Sequence, residues 1–194
     1  MTAVDERAMT TYYEDLDPPQ GVTAELLRGE IVMMAGPDLV HNLIVTEIQD
    51  QIPRNRWVRL QTQDLDIARE ASEPVPDLVV AAPEALPASG RLLPSTVVTL
   101  VVEVVSRTSV DRDHGVKRSI YAAGGIPAYL IVDPIMARCV LLTEPAGKGE
   151  DADYTVQRRA AFGDPLAVDI LGVELDTAGF GTLPNARPHR WLTP

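Results

Sequence analysis

The sequence predicts an α/β fold built on a partly parallel sheet, and three consecutive stretches carry that prediction. Thr99–Val105 (TLVVEVV) is an almost unbroken β-branched and leucine run, the pattern of a strand buried on both faces. Asp111–Ala123 places Val116, Ile120 and Ala123 at helical spacing, and Ile126–Asp133 is a second apolar run. Strand, helix, strand in that order is the crossover that joins parallel neighbours in one sheet. With 194 residues, 45% of them hydrophobic, and no internal repeat, the chain can bury one good core. The expected organisation is an N-terminal arm (1–20), one domain (21–175) and a C-terminal tail (176–194).

In chain order, residues 1–20 have mixed charge and end in Asp17-Pro18-Pro19, so at most a short helix near Thr11–Leu16 is expected, in an arm or lid. Val22–Leu27 and Glu30–Ala35 flank Arg28-Gly29 as a β-hairpin would, with Gly21 and Gly36-Pro37 as outer breaks. From His41 to Ile52, Leu43, Ile44, Ile48 and Ile52 recur mostly at four-residue steps and stop at Pro53, which predicts an amphipathic helix with His41 in its first turn. Trp57–Leu60 and Leu65–Ala68 read as short strands or one bent strand. Asp77 opens the buried strand 77–82, and Pro83–Pro94 is a loop leading to the central strand. Arg138–Thr143, Tyr154–Ala160 and Leu166–Ile170 read as late antiparallel strands, and Phe180–Pro194, with its prolines, as a segment on the surface or on a partner.

Composition narrows the function classes. No apolar run approaches the roughly 18 residues of a membrane span, and the acidic start of the chain lacks a signal-like apolar region, so a cytoplasmic protein is expected. Cys139 is the single cysteine and lies in an apolar run, which rules out an intramolecular disulfide or a cysteine-based zinc site and suggests a core residue. The formal charge of −11 argues against broad, non-specific attraction to nucleic acid.

The chemistry candidates come from separate parts of the chain. Glu103 interrupts a buried strand, where a carboxylate must be protonated, paired or metal-bound. By strand alternation it shares a face with Val101 and Val105. Asp77 starts a neighbouring strand, and Lys117 follows Val116, about 100° around the helix from the apolar stripe. Two carboxylates on adjacent strands suit a hard divalent ion such as Mg²⁺. A lysine beside them can position a nucleophilic water or stabilise charge on a phosphate. Plainer readings stand beside these. Pro-Asp is common in turns, Glu103 can pair with Arg107 or Arg118, and Lys117 would ordinarily face solvent. The chain, however, carries 15 arginines and only two lysines, which makes a lysine at this place informative. Tyr121, one turn after Lys117, either caps the core or faces the site; His41 either starts a helix or joins the site; Glu25 is either an exposed strand residue or a member of it.

Taken together, Pro76-Asp77, Glu103-Val-Val-Ser106, Asp113-x-x-x-Lys117-x-x-x-Tyr121 and Gly125-Ile-Pro127-Ala-Tyr129-Leu-Ile-Val-Asp133-Pro134 resemble the signature of the Uma2 family. Glu25-Leu-Leu-Arg-Gly29-Glu30 and His41 resemble its hairpin and following helix, and the likeness spans roughly residues 10–175. That family is placed in the PD-(D/E)XK superfamily, so the resemblance implies a restriction-endonuclease-like mixed sheet core with flanking helices, here with an N-terminal β-hairpin and C-terminal antiparallel strands. The implied core is a helix, three strands, a helix and a fourth strand, and the order of elements from His41 to Val132 fits. Asp77 then matches the first acidic position and Glu103 the second, the pair that would hold Mg²⁺ or Mn²⁺. The superfamily lysine lies two residues after the second acid, where this chain has Val105, and Lys117 is the substitute.

Two classes of function follow: a Mg²⁺- or Mn²⁺-dependent endonuclease acting on nucleic acid through Asp77, Glu103 and Lys117, and a non-cleaving nuclease fold acting as a binding or regulatory module, which the acidic charge favours. Candidate phosphate contacts are Arg54, Arg56 and Arg59, then Arg107, Arg112 and Arg118. The apolar residues Ile31, Val32, Met33 and Met34 of the hairpin, together with the late strands, lead to the expectation of a homodimer.

Overall fold

A computed structural model gives the fold and describes residues 6–192. The first five residues of the expected arm and the last two of the expected tail lie outside the described residues. The chain runs α1 (Glu6–Glu14), β1 (Val22–Leu27), β2 (Glu30–Ala35), α2 (Leu39–Gln51), β3 (Val58–Gln61), β4 (Leu65–Asp66), β5 (Leu78–Ala81), β6 (Leu93–Pro94) and β7 (Val98–Val104). A π-helical turn (Arg112–Val116) then leads into α3 (Lys117–Ala123), followed by β8 (Ala128–Asp133), β9 (Arg138–Ala146), β10 (Asp153–Ala161), β11 (Leu166–Val168) and β12 (Val173–Leu175). Six strands form one mixed sheet in the order β10-β9-β8-β7-β5-β3. Only β7 and β8 in it are parallel, joined by the crossover through α3 as the sequence predicts.

Each face of this sheet carries its own apolar layer. Ile44, Val45 and Ile48 of α2 pack on Leu78, Val80, Leu100 and Val102. On the opposite face, Ile120 and Tyr121 of α3 and Leu27 of the β1–β2 hairpin pack on Val79, Val101 and Val105. At about 1.5–3 kcal/mol per fully buried large apolar side chain, these two layers are the main force holding the elements together. Because β1 alternates, Glu25 takes the same side as Leu27 and is driven toward the face of the sheet that carries Glu103. Local signals set the ends of α2: Asp38 accepts the His41 N–H at 3.0 Å as an N-cap, and the helix stops short of Pro53.

Several sequence expectations are corrected. In α2 the inward side chain is Val45, while Leu43 is 53% exposed. The expected uninterrupted helix from Asp111 to Ala123 instead opens with the π-helical turn. That turn widens the helix by about one residue, so Val116 faces outward and Asp113, Lys117, Ile120 and Tyr121 face inward. The N-terminal segment is no loose lid among the described residues, since Tyr13 is buried on Leu26 and donates its hydroxyl to the Ala24 carbonyl at 2.9 Å. The C-terminal segment docks on its own chain: Leu183 is buried, and its N–H reaches the Pro134 carbonyl at 3.0 Å. Cys139 is buried within the core and free.

Candidate functional site

Buried carboxylates converge on one lysine. Lys117 Nζ lies 2.8 Å from Glu103 Oε1 and 2.7 Å from Glu25 Oε1, with all three side chains 5% exposed or less. A lysine is tolerated at such depth only because two carboxylates replace its water. Their charge outweighs the cost of burial and holds its pKa above the ordinary lysine range, so it is an ammonium. The Tyr121 hydroxyl donates to the same Glu103 oxygen at 2.6 Å. Glu25 Oε1 also accepts the Val75 N–H at 2.8 Å, while its Oε2 is buried without a partner.

Asp77 faces this group from the next strand. The antiparallel ladder pairs Leu78 with Val102, and one more step sets Asp77 opposite Glu103. Its Oδ2 accepts the Val104 N–H at 2.7 Å and meets His41 Nε2 at 2.9 Å. Burial works against the charged form of His41, but the hydrogen bond and charge of Asp77 outweigh it and raise its pKa above the usual value. Asp113, from the π-helical turn, completes the set. The Ser109 hydroxyl donates to its carboxylate, and its own carbonyl accepts the Tyr129 hydroxyl at 2.9 Å.

Glu103, Glu25 and Asp113 thus act on one ammonium while Asp77 faces Glu103, and electrostatics follow from that imbalance. Burial, only partly offset by Lys117 and reinforced by Asp77, Asp113 and Glu25, raises the Glu103 pKa well above the carboxylate range. Burial likewise pushes Asp113 up to about 7 despite Lys117 and Ser109. Repulsion between Asp77 and Glu103 therefore contributes to the shift of Glu103, but desolvation is its larger cause.

Asp77, Glu103, Asp113, Lys117 and His41 all line one cavity of about 290 Å³, with Arg107 at its wall. Hydrogen bonds to the facing acids fall on Asp77 Oδ2 and Glu103 Oε1, so Asp77 Oδ1 and Glu103 Oε2 remain for a ligand. Excess buried negative charge and the carboxylate oxygens of Asp77, Glu103 and Asp113 along the cavity fit a hard divalent cation.

Of the residues singled out in the sequence, Glu103, Lys117, Glu25 and Tyr121 form one contacting group, and Asp77 and His41 form a second pair that faces Glu103 across the β5–β7 ladder. Asp113 was not among them, although its four-residue spacing to Lys117 and Tyr121 already put the three on one helix face. The arginines divide. Arg107 lines the cavity. Arg59 donates to the Gln49 and Ile52 carbonyls at the end of α2, and Arg118 is held by Asp153 in a two-pronged pair. Arg54 and Arg56 precede β3, whose first residue pairs with Ala81 and whose last pairs with Leu78, so they sit at the end of the sheet away from Asp77.

The family described as "Uma2: Putative restriction endonuclease" matches residues 10–178. No curated protein matches the chain. Among solved structures, the fold is similar to a "putative nuclease belonging to DUF820" from Anabaena variabilis ATCC 29413, with a TM-score of 0.64 and 13% identity over 87% of this chain and 94% of the other.

Proposed function

Because the chain belongs to the Uma2 family of restriction-endonuclease-like proteins, we propose that it is an endonuclease hydrolysing phosphodiester bonds of nucleic acid with Mg²⁺ or Mn²⁺ held by Asp77 and Glu103. The observation that carries this reading is the facing pair Asp77–Glu103 with a lysine at 2.8 Å from the second acid, opening into one cavity. Asp77 Oδ1 and Glu103 Oε2 would hold the ion. When bound, the ion supplies charge neutralisation at the phosphate and a more acidic water.

The chain's own residues do the rest. Lys117 Nζ, fixed by Glu25 and Glu103, presents an ammonium to charge developing on the phosphate without having to reorganise. Tyr121 and the Val104 N–H fix the orientations of Glu103 and Asp77. His41 holds Asp77 Oδ2, which leaves Oδ1 toward the cavity. Outside the cavity, Arg107 also borders a groove of about 600 Å³ that Arg187 and Arg190 line, a place for flanking phosphates in a chain otherwise strongly acidic.

Calorimetric titration with Mn²⁺ tests the ion seat. Wild type binds, and Asp77→Asn binds at least tenfold more weakly; equal binding would remove the assignment.

The homodimer belongs to the same proposal, since paired sites suit cutting both strands of a duplex. Two of the four hairpin residues are used within the chain, Ile31 on the Tyr13 cluster and Val32 on the sheet, while Met33 is half exposed. Light scattering at micromolar concentration returns a dimeric mass if it is right and a monomeric one if not. Among the described residues no helix is long and apolar enough to cross a membrane. A cytoplasmic location completes the reading, supported by the free Cys139.

A further inference from the structure

At the end of β8, outside the cavity just described, three side chains meet that the proposed hydrolysis does not use. Asp133 is fully buried. Its Oδ1 accepts the N–H groups of Ile135 and Met136, both at 3.1 Å, which fixes the carboxylate in the turn after the strand. Its Oδ2 faces His189 Nε2 at 2.8 Å and His114 Nε2 at 3.4 Å. One ligand-capable atom from each of the three residues lies within 4.8 Å of the others.

The hydrogen bonding of this group is incomplete. His114 Nε2 is buried and makes no hydrogen bond, although Asp133 Oδ2 is close, and His189 Nδ1 is buried without a partner as well. Two imidazoles crowding one carboxylate oxygen, one of them with no hydrogen bond to it, is poor hydrogen-bonding geometry but the ordinary arrangement of three ligands around one ion. The surroundings hold the rings in place: Trp191 stacks on His114 with centroids 5.9 Å apart, and its Nε1 donates to Asp111 Oδ1 at 2.9 Å. Arg138 is the cation nearest to the group. Its Nη2 is taken by the Trp191 carbonyl at 2.5 Å, and its Nε, 3.8 Å from Oδ2, makes no hydrogen bond, so Asp133 is not committed to the guanidinium.

We propose that His114, Asp133 and His189 bind a borderline divalent ion, Zn²⁺ foremost, which fastens the C-terminal segment to the end of the sheet. Two nitrogens and one oxygen select zinc over magnesium, whereas the carboxylate pair Asp77 and Glu103 favours the harder ion, so the two sites sort metals by donor type. None of the three residues lines that cavity, and the proposal does not rest on its being catalytic. Consequences still reach it, because Leu183, in the segment that carries His189, forms part of the cavity wall.

The test is calorimetric titration of chelator-treated full-length protein with Zn²⁺, and separately Mg²⁺, in wild type, His189→Gln, Asp133→Asn and Glu103→Gln. Wild type and Glu103→Gln take up one Zn²⁺ per chain with a raised melting temperature, and Asp133→Asn and His189→Gln weaken that binding by at least about tenfold. If Asp133→Asn does not fold, His189→Gln decides alone, since it alters a side chain at the margin of the fold. Absence of Zn²⁺ binding, or binding that His189→Gln leaves intact and Glu103→Gln abolishes, overturns the proposal and makes the cluster a hydrogen-bonded clamp.

Discussion

Lys117 and Glu103 are in direct contact, Nζ to Oε1 at 2.8 Å, from positions on an inward-facing helix turn and near the C-terminal end of a buried strand. Glu25 shares the ammonium at 2.7 Å, so Lys117 neutralises part of the charge of these buried carboxylates. Stability and chemistry are therefore joined at this one side chain.

Replacing Lys117 with Met keeps most of the stem and removes the charge. Because this leaves Glu25, Glu103 and Asp113 buried with no cation among them, the variant should lose about 3–5 kcal/mol of stability at pH 8 in the presence of chelator. The loss should shrink near pH 5, because Glu103 and Asp113, whose pKa values burial already raises, then take up protons more readily. Arg118→Met, which breaks a solvent-facing pair with Asp153, should cost about 0–1 kcal/mol. Urea titrations at both pH values measure this, and equal losses for the two variants would contradict it.

Asp113 gives a separate pH signature. Its folded pKa of about 7 lies above the ordinary 3.8, so between these values the folded chain holds more protons than the unfolded one. Stability from this group is fully present below about 3.8, falls as pH rises through that window and is flat above about 7. Asp113→Asn keeps an acceptor for Ser109 and removes the charge. It should raise the melting temperature by at least about 2–4 °C at pH 8.5, the effect of about 1 kcal/mol in a domain of this size, and not near pH 4. Calorimetric scans with chelator present check it; a gain of equal size at both pH values would count against the buried charge.

His41 gives a second pH signature of the same sign as that of Asp113. Asp77 raises its pKa above 6.5, so the pair's contribution is complete below that value and is lost as pH rises through the folded pKa. The stability difference between wild type and His41→Gln should accordingly be larger at pH 6 than at pH 8.5. A difference independent of pH would mean that the ring contributes packing alone.

Much of this architecture is legible in the residues because local and tertiary preferences agree. The hairpin has Arg28-Gly29 at its turn, α2 has a capping Asp38 and a terminal Pro53, and β7 and β8 are runs that only a doubly covered sheet can bury. The register of the helix after β7 is not legible in that way. Apolar spacing points to Val116, but the π-helical turn shifts the helix so that Val116 faces outward and Lys117 meets two buried carboxylates. Glu25 and His41 join the site through contacts made only when the hairpin and α2 fold onto the sheet, so their neighbours in sequence carry no sign of it. His114 and His189 lie far apart in the chain and meet only because the C-terminal segment folds back over the end of β8.

Hydrolysis of nucleic acid at Asp77, Glu103 and Lys117 is tested by Mn²⁺-dependent cleavage of a panel of single- and double-stranded DNA and RNA. Wild type should cut at least one member of the panel, chelator should stop it, and Glu103→Gln, purified identically and shown to be folded, should be slower by at least about a hundredfold, the scale lost with one transition-state contact. No cleavage of any substrate by a protein that binds Mn²⁺, or cleavage that Glu103→Gln leaves intact, would contradict the claim and leave the fold as a binding module.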